Sequence, residues 1–126
     1  MTLTQDPQLT RQIIGLAMRV HSRLGPGLLE RVYERCLCYE LDRAELPYAR
    51  QVERPLRYEE IILEGVYRAD LIVRGEVLLE LKNIDRILPV HEAQLSTDLR
   101  LRSCKVGLLL NFNTASLKDG IRRKVV

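Results

Sequence analysis

A chain of 126 residues with 46% hydrophobic and 29% charged side chains has room for one domain with a substantial core and none for a second, and its balance excludes a disordered chain. No stretch approaches the roughly 20 apolar residues of a membrane span, and Met1–Pro7 lacks the basic and apolar segments of an export signal, so a cytoplasmic protein without a membrane partner is expected. The net charge of +3 is compatible with a polyanionic partner but does not require one. Cys36, Cys38 and Cys104 are odd in number and lack CxxC spacing, which predicts buried reduced thiols rather than disulfides or a zinc site.

Asp6-Pro7 supplies an N-cap and a first-turn proline, and Leu9, Ile13, Leu16, Ala17, Val20 and Leu24 recur at helical spacing as far as Gly25. After Gly25-Pro26-Gly27 a second helix is expected over 28–44, with Leu29, Val32, Tyr33, Cys36, Leu37 and Leu41 as its apolar stripe. Three β-runs follow, near 49–58, 66–73 and 77–82, and Pro55 makes the first an edge strand or a bulged one. Beyond a loop through Pro89, a helix over 90–102 leads into Lys105–Phe112, whose continuous apolar run predicts a strand buried on both faces. The tail from Leu117 to Val126 is ambiguous. The order predicts an α/β fold in which helices cover a mixed sheet.

The second and third β-runs carry the densest chemistry. Leu78, Glu80 and Lys82 share one strand face because side chains alternate with period two. If Arg74-Gly75-Glu76 forms a three-residue turn, Val73 faces Val77, and Asp70 then stands across from Glu80 with Cβ atoms about 4.5–5.5 Å apart. A two-residue turn would instead send Asp70 to the other face. Two carboxylates at that distance repel, and a cation, a raised pKa or the Lys82 ammonium must compensate. Hard oxygens suit Mg²⁺ or Mn²⁺, with the Leu81 carbonyl as a further ligand, and Lys82 would orient a water or neutralise charge on phosphate. The bland alternative is a solvated strand face, which the apolar character of 77–81 weakens.

Glu30 lies about 20° around the second helix from Leu37 and Leu41, which predicts a core-facing carboxylate needing a metal, a cation such as Arg68, or a hydrogen-bond network. Gln94 either lines the site or is a surface amide. His21 and His91 lack ligand spacing and read as structural. Arg50, Arg54 and Arg57, then Arg100, Arg102 and Lys105, then Arg122-Arg123-Lys124, would contact phosphates only if they converge on Asp70 and Glu80.

Glu30, Asp70 and Glu80-Leu81-Lys82, placed on helix, strand and strand, give a chain that resembles the PD-(D/E)XK nuclease superfamily, with its αβββαβ core and here an extra N-terminal helix. Gly27-Leu-Leu-Glu30-Arg-Val-Tyr33 is similar to the signature of the GxxExxY protein family. The resemblance continues through Tyr67-Arg-Ala-Asp70, His91-Glu-Ala-Gln94-Leu95, Gly107-Leu-Leu-Leu-Asn-Phe-Asn113 and Leu117-Lys-Asp-Gly120. It implies Glu30, Asp70 and Glu80 as acidic site residues, Lys82 as the catalytic lysine and Gln94 as a site-lining amide. Ala69 stands where the superfamily has its eponymous proline, and Asp98 stands where some related nucleases have tyrosine. The leading expectation is a Mg²⁺- or Mn²⁺-dependent nuclease that hydrolyses DNA, in a homo-oligomer large enough to span its substrate. The alternatives are a non-catalytic nucleic-acid-binding or assembly module on the same fold, or a protein-interaction scaffold.

Overall fold

The computed structural model describes residues 7–126, so the expected cap at Asp6 lies outside the described residues. Helix α1 spans Pro7–Leu24 and α2 Glu30–Arg43; strands β1 (Tyr48–Tyr58), β2 (Ile61–Val73) and β3 (Val77–Lys82) precede α3 (Pro89–Arg102) and β4 (Val106–Asn111). The tail that periodicity left open resolves into a 3₁₀ turn, Leu117–Gly120, and β5, Ile121–Val125. The sheet order is β1-β2-β3-β4-β5. Its pairs are antiparallel except β3 with β4, which α3 connects as a parallel crossover. The α/β class and the mixed, helix-covered sheet are as expected.

Two apolar layers sandwich the sheet. The larger joins Leu9, Ile13, Ala17 and Val20 of α1 and Tyr33, Leu37 and Leu41 of α2 to Leu71, Val73, Leu79, Leu81, Leu108 and Leu110. The smaller joins Leu95 and Leu99 of α3 to Ala69, Leu78 and Leu109. All six residues of β4 are buried, as its unbroken apolar run requires. Gly107 lets α3 close on the sheet, for a Cβ there would lie 3.0 Å from the side chains of both Leu95 and Leu99. The α1–α2 turn passes through Gly25 and Gly27, both at positive φ. The Tyr33 hydroxyl holds it, donating to the Gly25 carbonyl at 2.5 Å and accepting the Leu28 N–H at 3.1 Å. Tyr33 also stacks on Phe112, with ring centroids 4.4 Å apart.

Several expectations change. β2 begins at Ile61 rather than near Val66, so the first hairpin is longer than predicted. Pro55 marks both an edge strand and a register shift, between Arg54 and Leu56. Of the three free cysteines only Cys38 is fully buried; Cys36 and Cys104 are partly exposed. Glu30 is exposed rather than core-facing, and the carboxylate buried on α2 is Glu34, 6% exposed. Glu34 shares the same angular stripe, about 20° from Leu41. The difference is position along the axis: α2 packs through its middle turns, and Glu30, its first residue, overhangs the core edge together with exposed Leu28 and Leu29.

The basic residues flagged in the sequence are largely committed to the fold. Arg102, at the end of α3, donates to the Asp98 carboxylate at 2.6 Å and to the main-chain carbonyls of Val52 at 2.7 Å and Tyr67 at 3.4 Å. Both members of this ion pair are 7% exposed, so α3 is fastened to the first hairpin through desolvated charge. Asp98 therefore has a structural partner in Arg102. Arg122 and Lys124 instead pair with Glu92 near the surface. Removing one partner of a buried pair strands the other, whereas an exposed pair contributes little. Urea unfolding at constant m should show Arg102→Ala losing about 3–5 kcal/mol and Arg122→Ala less than about 1 kcal/mol.

Candidate functional site

The three-residue turn sets the register: Val73 stands opposite Val77, Ile72 opposite Leu78 and Leu71 opposite Leu79. The ladder ends there, and Asp70 and Glu80 are the first residues beyond it. Strict alternation also fails at this point. Leu71 packs in the α1/α2 layer and Ala69, two residues away, in the α3 layer, so the strand changes faces across Asp70. β1 makes the same change: Arg50, opposite Leu71, reaches Glu34 on α2, while Val52, opposite Ala69, packs toward α3. Between them Gln51 takes a left-handed backbone, φ 50°, that a non-glycine residue rarely adopts.

Asp70 thus occupies a twist rather than either flat face, and its carboxylate is held from two sides. Oδ2 accepts the Leu81 backbone N–H at 2.8 Å, and Oδ1 lies 3.5 Å from Gln51 Nε2. The same Gln51 amide donates to Glu34 Oε1 at 2.8 Å, and Arg50 Nε donates to Glu34 Oε2 at 3.0 Å. Burial raises the Asp70 pKa, the Leu81 N–H opposes the rise, and the charges of Glu34 and Glu30 add to it. Glu30 is therefore close enough for its charge to be felt, although it is exposed.

Glu80 and Lys82 project toward α3 into a cavity of about 340 Å³ that Arg68, His91, Gln94 and Asp98 also line. Gln94 lines the cavity and is at the same time exposed on the surface of α3. His91 has a structural bond as well, its Nδ1 accepting the Leu88 N–H at 2.9 Å. None of the flagged arginine clusters lines the cavity; its cations are Arg68 and Lys82. Lys82 Nζ lies 3.8 Å from Glu80 Oε2, and Glu80 Oε1 is buried without a hydrogen-bond partner. Burial first, then the Asp70 charge, pushes the Glu80 pKa up to about 7, against the pull of Lys82.

Sequence reasoning missed three contributors. Glu34 was discoverable by the helical-wheel argument applied to Glu30. Gln51 carries no signal, because its role depends on a backbone reversal. Asn111 clamps the loop after Lys82, accepting the Ile84 N–H at 3.1 Å and donating to the Ile84 carbonyl at 3.0 Å.

Among the described residues no three His, Cys, Asp or Glu side chains come together as a metal-binding group. Glu30 therefore does not join Asp70 and Glu80 as a third acid, and of the expected acidic set the pair Asp70 and Glu80 remains. Those two still suit a hard cation. Mg²⁺ commonly uses one or two carboxylates and completes its shell with waters, and the orphaned Glu80 oxygen lacks a partner of the kind a cation or water supplies.

A mixed sheet between helices, with an acid just beyond the ladder that pairs one strand with the next and Glu-x-Lys on that next strand, defines a nuclease-like α/β domain. A family model described as the PD-(D/E)XK nuclease superfamily matches residues 7–124, and the chain belongs to that superfamily. No curated protein and no solved structure matches it.

The raised Glu80 pKa has a measurable sign. A carboxyl that holds its proton more tightly when folded stabilises the fold below its unfolded pKa, and that contribution is lost as pH rises through the folded one. Thermal unfolding in EDTA should show stability falling between pH 4.5 and about 7, by on the order of 3 kcal/mol at full effect. Glu80→Gln should flatten this dependence. A profile unchanged by that substitution would place the titration elsewhere.

Proposed function

We propose that this protein is a Mg²⁺- or Mn²⁺-dependent nuclease of the GxxExxY group, a single domain over residues 1–126 that hydrolyses DNA phosphodiester bonds in the cytoplasm as a homo-oligomer. The observation that carries the reading is the convergence of Glu80, Lys82 and Gln94 on one cavity, with Asp70 tied to the backbone of the same strand. The turn held by Tyr33 in Gly27-x-x-Glu30-x-x-Tyr33 supports the narrower group. Among the described residues no helix is long and apolar enough to cross a membrane.

In this reading Asp70 and Glu80 hold the ion, with the Leu81 carbonyl as a further oxygen. The ion, when bound, polarises phosphoryl oxygens and eases ionisation of water. Both carboxylates must be ionised to hold it, which their metal-free environment resists; cation binding and proton release are therefore coupled. Lys82 neutralises charge that develops on the phosphate, and Gln94 orients a phosphate oxygen or water by hydrogen bonding. Arg68 supplies a second cation at the cavity wall.

Purified protein should cleave DNA with Mg²⁺ or Mn²⁺ and stop in EDTA, and Asp70→Ala, Glu80→Ala and Lys82→Ala should each lose about 100-fold or more. No cleavage of single-stranded, double-stranded or branched DNA with either metal would refute the activity, as would Asp70→Ala and Glu80→Ala variants that cut like wild type. A second reading, a non-catalytic nucleic-acid-binding module, is favoured by one observation: Glu30 stands exposed, so among the described residues no third acid joins the pair. Salt-dependent DNA binding without turnover would select it.

A further inference from the structure

His91 lines the same cavity as Glu80, Lys82 and Gln94, and its hydrogen bonding fixes which of its nitrogens can meet a ligand. The Leu88 backbone N–H donates to Nδ1 at 2.9 Å. A backbone N–H can only donate, so Nδ1 presents its lone pair and the proton of the neutral ring sits on Nε2. Among the described residues nothing bonds Nε2 in turn. The ring is partly exposed, with one nitrogen committed to the turn that opens α3 and the other an N–H without a protein acceptor. Position along α3 adds to this. His91 and Gln94 are three residues apart, which sets them side by side on one helix face, across the cavity from Glu80 and Lys82 of β3.

We propose that His91 is a substrate-contacting residue of this site, its Nε2–H donating a hydrogen bond to a non-bridging phosphate oxygen of the bound strand. The inference rests on the nuclease reading for the identity of that ligand, a phosphodiester. The rest of the cavity agrees with an anion. Lys82 and Arg68 bring two positive charges to its wall, and the Asp98 carboxylate is already engaged by Arg102. A donor held in place by its own second bond loses little freedom on binding, and a hydrogen bond to a charged oxygen is stronger than one between neutral groups. The tautomer also limits the role. With Nδ1 engaged and Nε2 protonated, neither nitrogen has a lone pair free to take a proton from water, so His91 is a fixed donor rather than the general base. Such a donor acts by being in position before charge develops on the phosphate.

Two substitutions separate the cap from the contact. In His91→Asn the short amide stands in for Nδ1 and keeps the cap, whereas in His91→Gln the longer amide reaches the place of Nε2 and gives the cap up. Fluorescence anisotropy of labelled single-stranded and duplex DNA in Ca²⁺ should show His91→Asn binding about 10-fold more weakly than wild type, or worse, and His91→Gln within about threefold of it. Thermal unfolding should rank them the other way, with His91→Gln melting lower by on the order of 5 °C. Should His91→Gln not fold, imidazole nitrogen NMR of the wild-type chain carries the test. The chain has two histidines, so the signals that His91→Asn removes belong to His91, and DNA should shift its Nε2 more than its Nδ1. His91→Asn binding like wild type, equal losses in the two variants, an unmoved Nε2 signal, or a wild type without affinity for DNA would overturn the proposal. A wild type that binds DNA but never cuts it with Mg²⁺ or Mn²⁺ refutes the nuclease reading alone, and the ranking of the two variants then still decides the role of His91.

Discussion

Two carboxylates repelling each other in a half-buried setting constrain the rest of this molecule. Asp70 and Glu80 stand at the end of the β2–β3 ladder, and burial and mutual repulsion raise the pKa of Glu80, while burial and the charges of Glu34 and Glu30 raise that of Asp70. Neither would keep its place on an isolated hairpin, because two strands alone are marginally stable and like charges at their end weaken them further. The position holds because β3 is locked on its other side into a six-residue parallel ladder with fully buried β4. The cost of holding the acids together is thus offset by apolar burial along β4, a strand with no charged residue.

The helices divide the remaining task. α2 presents Glu34, whose bonds to Arg50 and Gln51 brace the twist at which β2 changes faces. α3 closes the cavity from the other side, and its approach depends on Gly107 beneath Leu95 and Leu99 and on Arg102 reaching the hairpin carbonyls. One helix therefore fixes how Asp70 is aimed, while the other fixes the volume in front of Glu80, Lys82 and Gln94. Stability and site geometry share the same contacts: loosening α3 would enlarge the cavity as well as weaken the fold.

What the sequence reveals depends on whether a feature is local or tertiary. The register of the second hairpin was legible, because a three-residue turn and period-two alternation determine it. The buried strand β4 was legible from its unbroken apolar run. The reversal at Asp70 was not, since it arises from two strands twisting together, and Gln51 gives no compositional warning of its left-handed backbone. Glu30 shows a related limit. Helical angle alone ranks it with Glu34, but which turns of α2 lie over the sheet depends on where the chain re-enters after Gly27. β2 starts five residues before the predicted run, because the register shift near Gly65 is a bulge within one continuous strand rather than its beginning.

The lysine beside Glu80 sharpens what the pair requires. At 3.8 Å, with a surface-like effective dielectric near 20, one ammonium and one carboxylate attract with an energy of about 4 kcal/mol. That is a large pull, yet the Glu80 pKa still rises to about 7, so burial and Asp70 together outweigh it. Lys82 therefore offsets only part of the cost of ionising Glu80 beside Asp70. Arg68 at the cavity wall adds a second positive charge, and a divalent cation would add two more without adding a side chain to that cavity. The shortfall in charge, rather than the count of acidic ligands, is the strongest physical reason to look for metal dependence in this protein.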